Sequence, residues 1–163
     1  MQEEWREILE FPGYSVSSTG RVQNERTGRI IERHVNQRGI VNVSLWRNNQ
    51  QTRRSVSVLV ATAFIRTARS RTFDTPINLD GDRLNNRVEN LLWRPRWYAR
   101  EYFSQFLSRP RGIDNPVMEL KTEEIFKSSW EAALAYGLLD REVVRSVVHM
   151  TYAIPTYQRF ELY

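Results

Sequence analysis

Residues 39–46, G-I-V-N-V-S-L-W, alternate without a break: Val41, Val43 and Leu45 fall on one side, Asn42, Ser44 and Trp46 on the other. Only an extended strand sorts side chains in this way, because its successive Cβ atoms point to opposite faces. One face is therefore core, and the other is polar with a single aromatic. The flanking segments R-I-I-E-R-H-V and T-R-R-S-V-S-V are separated from it by the turn-rich N-Q-R-G and R-N-N-Q-Q. Together they predict three neighbouring antiparallel strands.

Upstream, E-E-W-R-E-I-L-E-F-P-G-Y-S-V-S-S-T-G-R-V carries a Pro-Gly turn, a short alternating strand at Tyr14, Ser15 and Val16, and a polar turn ending at Gly20. Downstream, S-V-L-V-A-T-A-F-I-R-T-A changes to helical spacing, with Leu59, Val60, Ala63 and Phe64 on one stripe. A further amphipathic helix is expected from Trp97 to Leu107, bounded by Pro95 and Pro110 and followed by an extended basic linker. Near the end, Ser128 and Glu131 have the spacing of a capping box ahead of E-A-A-L-A-Y-G-L-L. Asp140 is the expected cap of a second helix, R-E-V-V-R-S-V-V-H-M, with Val143, Val144 and Val147 facing the first; Y-Q-R-F-E-L-Y closes as a strand. Two short helices joined at Gly137 to Asp140 fit either a helix-turn-helix or an ordinary helical hairpin.

The chain has 163 residues, enough for one domain or two small ones. Its net charge is +5, and 24 basic residues less Lys121 and Lys127 leaves 22 arginines. Arginine's planar fork suits phosphate and the guanine edge, so the excess points to a phosphate-rich partner; a bias in codon usage is the other reading of the same count. No cysteine is present, which excludes disulfides and thiolate metal sites. Without a membrane-length apolar run, and with the acidic start M-Q-E-E-W-R-E, the expected location is the cytosol, with no membrane partner.

The stretch I-N-L-D-G-D-R-L-N-N-R-V-E-N-L-L-W, residues 77–93, resembles the core of the phage HNH homing endonucleases of group I introns. W-x-x-I…P-G-Y-S-V-S-S-T-G-R-V resembles their amino-terminal module, S-V-L-V-A-T-A-F their first nuclease helix, and F-K-S-S-W-E-A-A…G-L…V-V-R-S-V their carboxy-terminal helix-turn-helix. The resemblance spans nearly the whole chain, in order. It implies an α+β fold of elongated, modular form: an antiparallel-sheet DNA-binding module over 1–56, an HNH-like core over 57–94, a helix and basic linker over 95–116, and a helix-turn-helix module over 117–163. It also implies that the arginine-rich strands lie in the DNA major groove, that the middle helix and linker track the duplex, and that the last module reads further sequence. Tethering such weak contacts raises their effective concentration for one another.

The same resemblance locates the family's catalytic places, and here they hold other residues. Hydrolysing a phosphodiester with one metal needs a base for water and ligands for the cation. The family's Asp-His pair falls at Ile77 and Asn78, its later ligand asparagine at Ala99, and its upstream histidine at Ser57. Isoleucine and alanine offer no oxygen, and an amide takes no proton at neutral pH. Catalytic residues and cofactors are accordingly expected to be none, with Asp80, Gly81, Asp82, Asn85, Asn86 and Asn90 keeping a turn. The counter-reading is Mg²⁺ held through Asp80, Asp82 and Asn90, a hard-oxygen set.

The expected function is that of a sequence-specific duplex-DNA binder, nuclease-inactive, repressing transcription by occupying a promoter or operator in a bacterial host of a phage or mobile element. An active nicking enzyme and an RNA-binding protein are the alternatives; self-association is open. The candidate contact residues are Arg29, Arg33, Arg38, Asn42, Ser44, Trp46, Arg47, Arg53 and Arg54 around the strands; Arg94, Arg96, Arg100, Arg109 and Arg111 around the helix and linker; and Ser128, Arg141, Arg145 and His149 at the end. Arg141 and Arg145, four apart, are expected to share the exposed face of a recognition helix.

Overall fold

The computed structural model describes residues 2–108 and 112–163. They form a mixed α+β fold of small sheets and four α-helices, in two bodies. The first runs to Asn78 and resumes over Asp82–Trp93; the second comprises Leu79–Gly81 and Arg94–Tyr163.

In the first body β1 (Trp5–Glu7), β2 (Tyr14–Ser17) and β3 (Val22–Asn24) make one antiparallel sheet, in that order. A second contains β4 (Arg33–Val35), β5 (Val41–Arg47) and β6 (Gln50–Ser55), with β5 central. The alternation in β5 appears as expected: Val41, Val43 and Leu45 are buried, while Asn42 and Ser44 are half-buried and Trp46 is exposed. Asn48 and Asn49 take positive φ at the tip of the β5–β6 hairpin, the conformation favoured in two-residue turns.

The strand expected through Val58 ends earlier, at Ser55, and Val56–Phe64 form α1. Helical spacing buries Val56 with Leu59 and Val60 on one stripe, whereas a strand would have sent Val56 and Ser57 to opposite faces. The chain then passes through β7 (Thr75–Asn78), which pairs with β8 (Leu91–Arg94). Trp93 is buried, and its indole N–H donates to Ile65 O at 2.9 Å. One continuous core joins the segments expected as separate modules over 1–56 and 57–94: Phe11, Val16 and Val43 pack in the same cluster as Val56, Val60 and Trp93. Residues of α1 and β8 thereby cover the apolar faces of the small sheets.

The second body holds α2 (Arg96–Ser104), β9 (Val117–Glu119), β10 (Ile125–Phe126), α3 (Ser129–Tyr136), α4 (Asp140–His149) and β11 (Phe160–Leu162). β9 is central in an antiparallel β10-β9-β11 sheet. α2 buries Tyr98, Ala99 and Tyr102 and exposes Arg96, Trp97 and Arg100. The Tyr102 hydroxyl donates to Leu79 O at 2.7 Å, and the Tyr98 hydroxyl accepts from the Leu139 N–H at 2.6 Å; burial pushes both phenols up in pKa.

α3 opens as expected, the Glu131 N–H donating to Ser128 Oγ at 3.2 Å. The reciprocal bond lands one residue early, on the Lys127 N–H at 2.6 Å. The helix closes on Gly137 in the left-handed region, φ 60°, a conformation costly for any residue with a Cβ. Asp140 is not the cap of α4: the extended Leu139 takes that place, and Asp140 begins the helix with its carboxylate buried, accepting from Ser129 Oγ at 2.6 Å. Leu138 and Leu139 are themselves core residues, and with Leu139 as cap the helix begins one residue earlier than the polar pattern suggests. Val144 does not face inward either; Val143 and Ser146 are buried, and Ser146 Oγ accepts from the Phe160 N–H at 2.9 Å. No helix among the described residues is long and apolar enough to cross a membrane.

Candidate functional site

The register of β4, β5 and β6 gathers a polar face residue by residue. His34, Asn42 and Ser55 lie in one cross-strand row, Ser44 and Arg53 in the next, and Trp46 with Gln51 in the third. Directly paired residues share a face, so these seven side chains project from the side opposite Val41, Val43 and Leu45. Trp46 is 55% exposed at the end of that face. Of the residues singled out from sequence, Asn42, Ser44, Trp46 and Arg53 are brought together here. His34, Gln51 and Ser55 were missed as members of the face. Counting by twos across each hairpin finds them, once the turn lengths fix the register.

Arg33 and Arg54 pair in register with Val43 and so belong to the other side of the sheet. Arg54 is moreover engaged, ion-paired to Glu10 and lying over the Phe11 ring with 5.2 Å to its centroid. Glu10 is held below the usual carboxylate range by that hydrogen-bonded guanidinium. Arg38 sits on the β4–β5 turn, Arg47 at the far end of β5, and Arg29 ahead of β4, all exposed. Among the described residues no carboxylate lies within ion-pair distance of Arg29, Arg33, Arg38, Arg47 or Arg53. Exposed arginines without such partners are suited to a polyanion.

In the second body the candidates divide. Arg96 and Arg100 are exposed on α2 beside the exposed Trp97. Arg94 is not a surface cation: it is buried, and its guanidinium donates to Gly137 O at 3.0 Å and to Tyr136 O, closing the carboxyl end of α3. Burial lowers its pKa. On α4 Arg141 is exposed whereas Arg145 is half-buried, and Arg141 pairs with Glu101 and Arg145 with Glu142 at 3.0 Å. Ser128 spends its oxygen on the helix cap, and His149 is exposed at the end of α4. Arg109 and Arg111 lie outside the described residues.

Where the family's catalytic pair would stand, the structure holds a clasp. Ile77 is fully buried and apolar. Asn78, 3% exposed, donates through Nδ2 to Asn85 O at 2.8 Å and to Asn86 Oδ1 at 3.1 Å. Asn90 Nδ2 donates to the same Asn85 carbonyl at 2.8 Å, and Asn86 Nδ2 to Arg83 O at 3.1 Å. Asp82 Oδ1 accepts from the Leu84 N–H at 2.9 Å. These amides and the carboxylate hold the segment after Asp80 in shape. Ala99, 4% exposed, offers no ligand atom, and Ser57 on α1 shares a 2.9 Å hydrogen bond with Ser55. A catalytic divalent metal of the HNH type does not fit the residues at these places. Among the described residues no three His, Asp or Glu side chains group as a metal site.

Comparison with known proteins places this geometry. The NUMOD4 motif matches residues 3–46, the stretch from before β1 to the end of the polar row on β5. A protein of Acanthamoeba polyphaga mimivirus named uncharacterized HNH endonuclease L245 is 32% identical over 93 residues, which make up 57% of this chain and 27% of that protein. The chain thus matches about a quarter of its viral relative's length. The fold matches the HNH homing endonuclease I-HmuI, solved for its DNA binding and cleavage, with a TM-score of 0.56 and 19% identity over 98% of each chain. The chain thus resembles the viral HNH protein over part of its length and shares the fold of the homing endonuclease I-HmuI.

Proposed function

We propose that this protein binds duplex DNA in a sequence-specific way and occupies its site without cutting it, having kept the binding surfaces of an HNH homing endonuclease and lost the chemistry. The observation that carries this reading is the Asn78 side chain, whose amide is spent on the Asn85 carbonyl where a nuclease needs a base. An amide in that position does not take a proton from water at neutral pH. Binding is supported by the cationic sheet, whose exposed arginines have no carboxylate partners among the described residues, and by the likeness to I-HmuI, a DNA-binding enzyme. A protein that stays bound at a promoter or operator excludes polymerase, which makes transcriptional repression the simplest use. Recovery of the DNA bound in cells tests it: one promoter-proximal peak is expected, whereas recovery of RNA in place of duplex DNA would replace the reading.

A further inference from the structure

The loop from Asp82 to Val88 is held far more tightly than an exposed connection requires. Asn78 and Asn90 both donate to Asn85 O, Asn86 donates to Arg83 O, and the Val88 N–H donates to Ser18 O at 2.9 Å. The loop is also pressed against two turns. A Cβ built on Gly20 would stand 3.2 Å from Asn86 O, and one on Gly39 would stand 3.8 Å from Arg83 Cδ. Gly39 closes the β4–β5 turn that carries Arg38, so the loop adjoins the cationic sheet within one body. At the tip of this rigid support Leu84 is 54% exposed.

A lone exposed leucine is ordinary, but this one stands on a backbone held by several side-chain hydrogen bonds, three residues before the exposed Arg87. Arg87 pairs with the exposed Glu89 at 3.5 Å, a contact that a phosphate replaces at little cost. We propose that the Asp82–Val88 loop is a second DNA-contacting element, in which Leu84 enters the minor groove and wedges a base step while Arg87 takes a flanking phosphate. Apolar wedges of this kind unstack a step and bend the duplex, and the cost of unstacking is met only if the tip is already ordered. The asparagine clasp provides that order, giving the vacated catalytic segment a use in binding. The inference rests on the DNA-binding reading.

The test uses the full chain and a duplex selected by it from a randomised library, labelled for bending by energy transfer and carrying 2-aminopurine at successive steps. Wild type is expected to bend the duplex and brighten the probe at one step. Leu84→Ala should abolish both effects and weaken binding roughly tenfold or more, the scale of a lost buried leucine. Arg87→Ala should lower the salt slope by about one contact. If wild type selects and binds a duplex but Leu84→Ala leaves bending and probe signal unchanged, whatever its affinity, the wedge is overturned and the DNA-binding reading stands. If wild type binds no duplex at all, both fall.

Discussion

The Asn78 side-chain amide and the backbone carbonyl of Asn85 are 2.8 Å apart, and Asn90 donates to the same oxygen at the same distance. Asn78→Ala should therefore destabilise the first body by only about 1–2 kcal/mol, since Asn85 O keeps one donor. Asn78→Asp should cost more, because a carboxylate there faces Asn85 O and Asn86 Oδ1, both acceptors. Chemical denaturation of the two variants checks the order; equal costs would mean that the amide is not the donor.

Restoring the family's pair is expected to harm folding before it helps chemistry. Ile77→Asp places a carboxyl at a fully buried position in β7, and the double variant Ile77→Asp, Asn78→His should lose about 2–4 kcal/mol or more. With Ala99 unchanged it should remain unable to nick plasmid in Mg²⁺ or Mn²⁺. Nicking by a folded double variant would show that the remaining residues suffice.

Arg94 and Arg53 separate structure from binding. Arg94→Ala removes the donors to Tyr136 O and Gly137 O and should cost about 2–4 kcal/mol of stability while leaving the salt dependence of DNA binding unchanged. Arg53→Ala should do the reverse: near-native stability, weaker binding, and a log-log salt slope shallower by about one. Thermal melts and salt titrations on both variants decide it, and a salt slope unmoved by Arg53→Ala would remove the sheet from the interface.

Gly81 takes φ +77°, and a Cβ there would stand 2.6 Å from the Phe106 ring. Gly81→Ala is expected to cost about 2–4 kcal/mol, combining left-handed strain with displacement of the ring. A melt matching wild type would show that Phe106 swings aside freely.

Stability should also fall in acid through Glu3. The Arg21 guanidinium, with the Thr19 and Ser17 hydroxyls, holds its carboxyl down from an ordinary 4.5 to about 2. A depressed carboxyl stabilises the fold above its ordinary pKa, and that contribution is lost as pH falls from about 4.5 through 2. Glu3→Gln should flatten the melting temperature over this window; an unchanged profile would assign acid sensitivity elsewhere.

Much of this was legible in the residues. The alternation at Val41–Trp46 specified a half-buried strand, and Ser128 with Glu131 marked a helix start, because both signals depend on neighbours in sequence. The misplaced features depend on partners far along the chain. Arg94 resembles any cation beside a Pro-Arg segment until Gly137 and Tyr136 bring their carbonyls to it. Asp140 resembles a cap until Ser129 takes its carboxylate. His34, Gln51 and Ser55 join the polar face only through strand register, which local propensity does not set. At residues 77 and 78 the sequence shows isoleucine and asparagine where the resembling family has aspartate and histidine, and only the structure shows the hydrogen bonds that Asn78 makes.

The most direct measurement of the central claim is metal-dependent cleavage of bound DNA: the purified chain in stoichiometric amount, its selected duplex in a supercoiled plasmid, and Mg²⁺ or Mn²⁺. The expected result is a stable complex protecting the site from an added nuclease, with the plasmid remaining supercoiled. Metal-dependent nicking confined to the protected site would contradict the account.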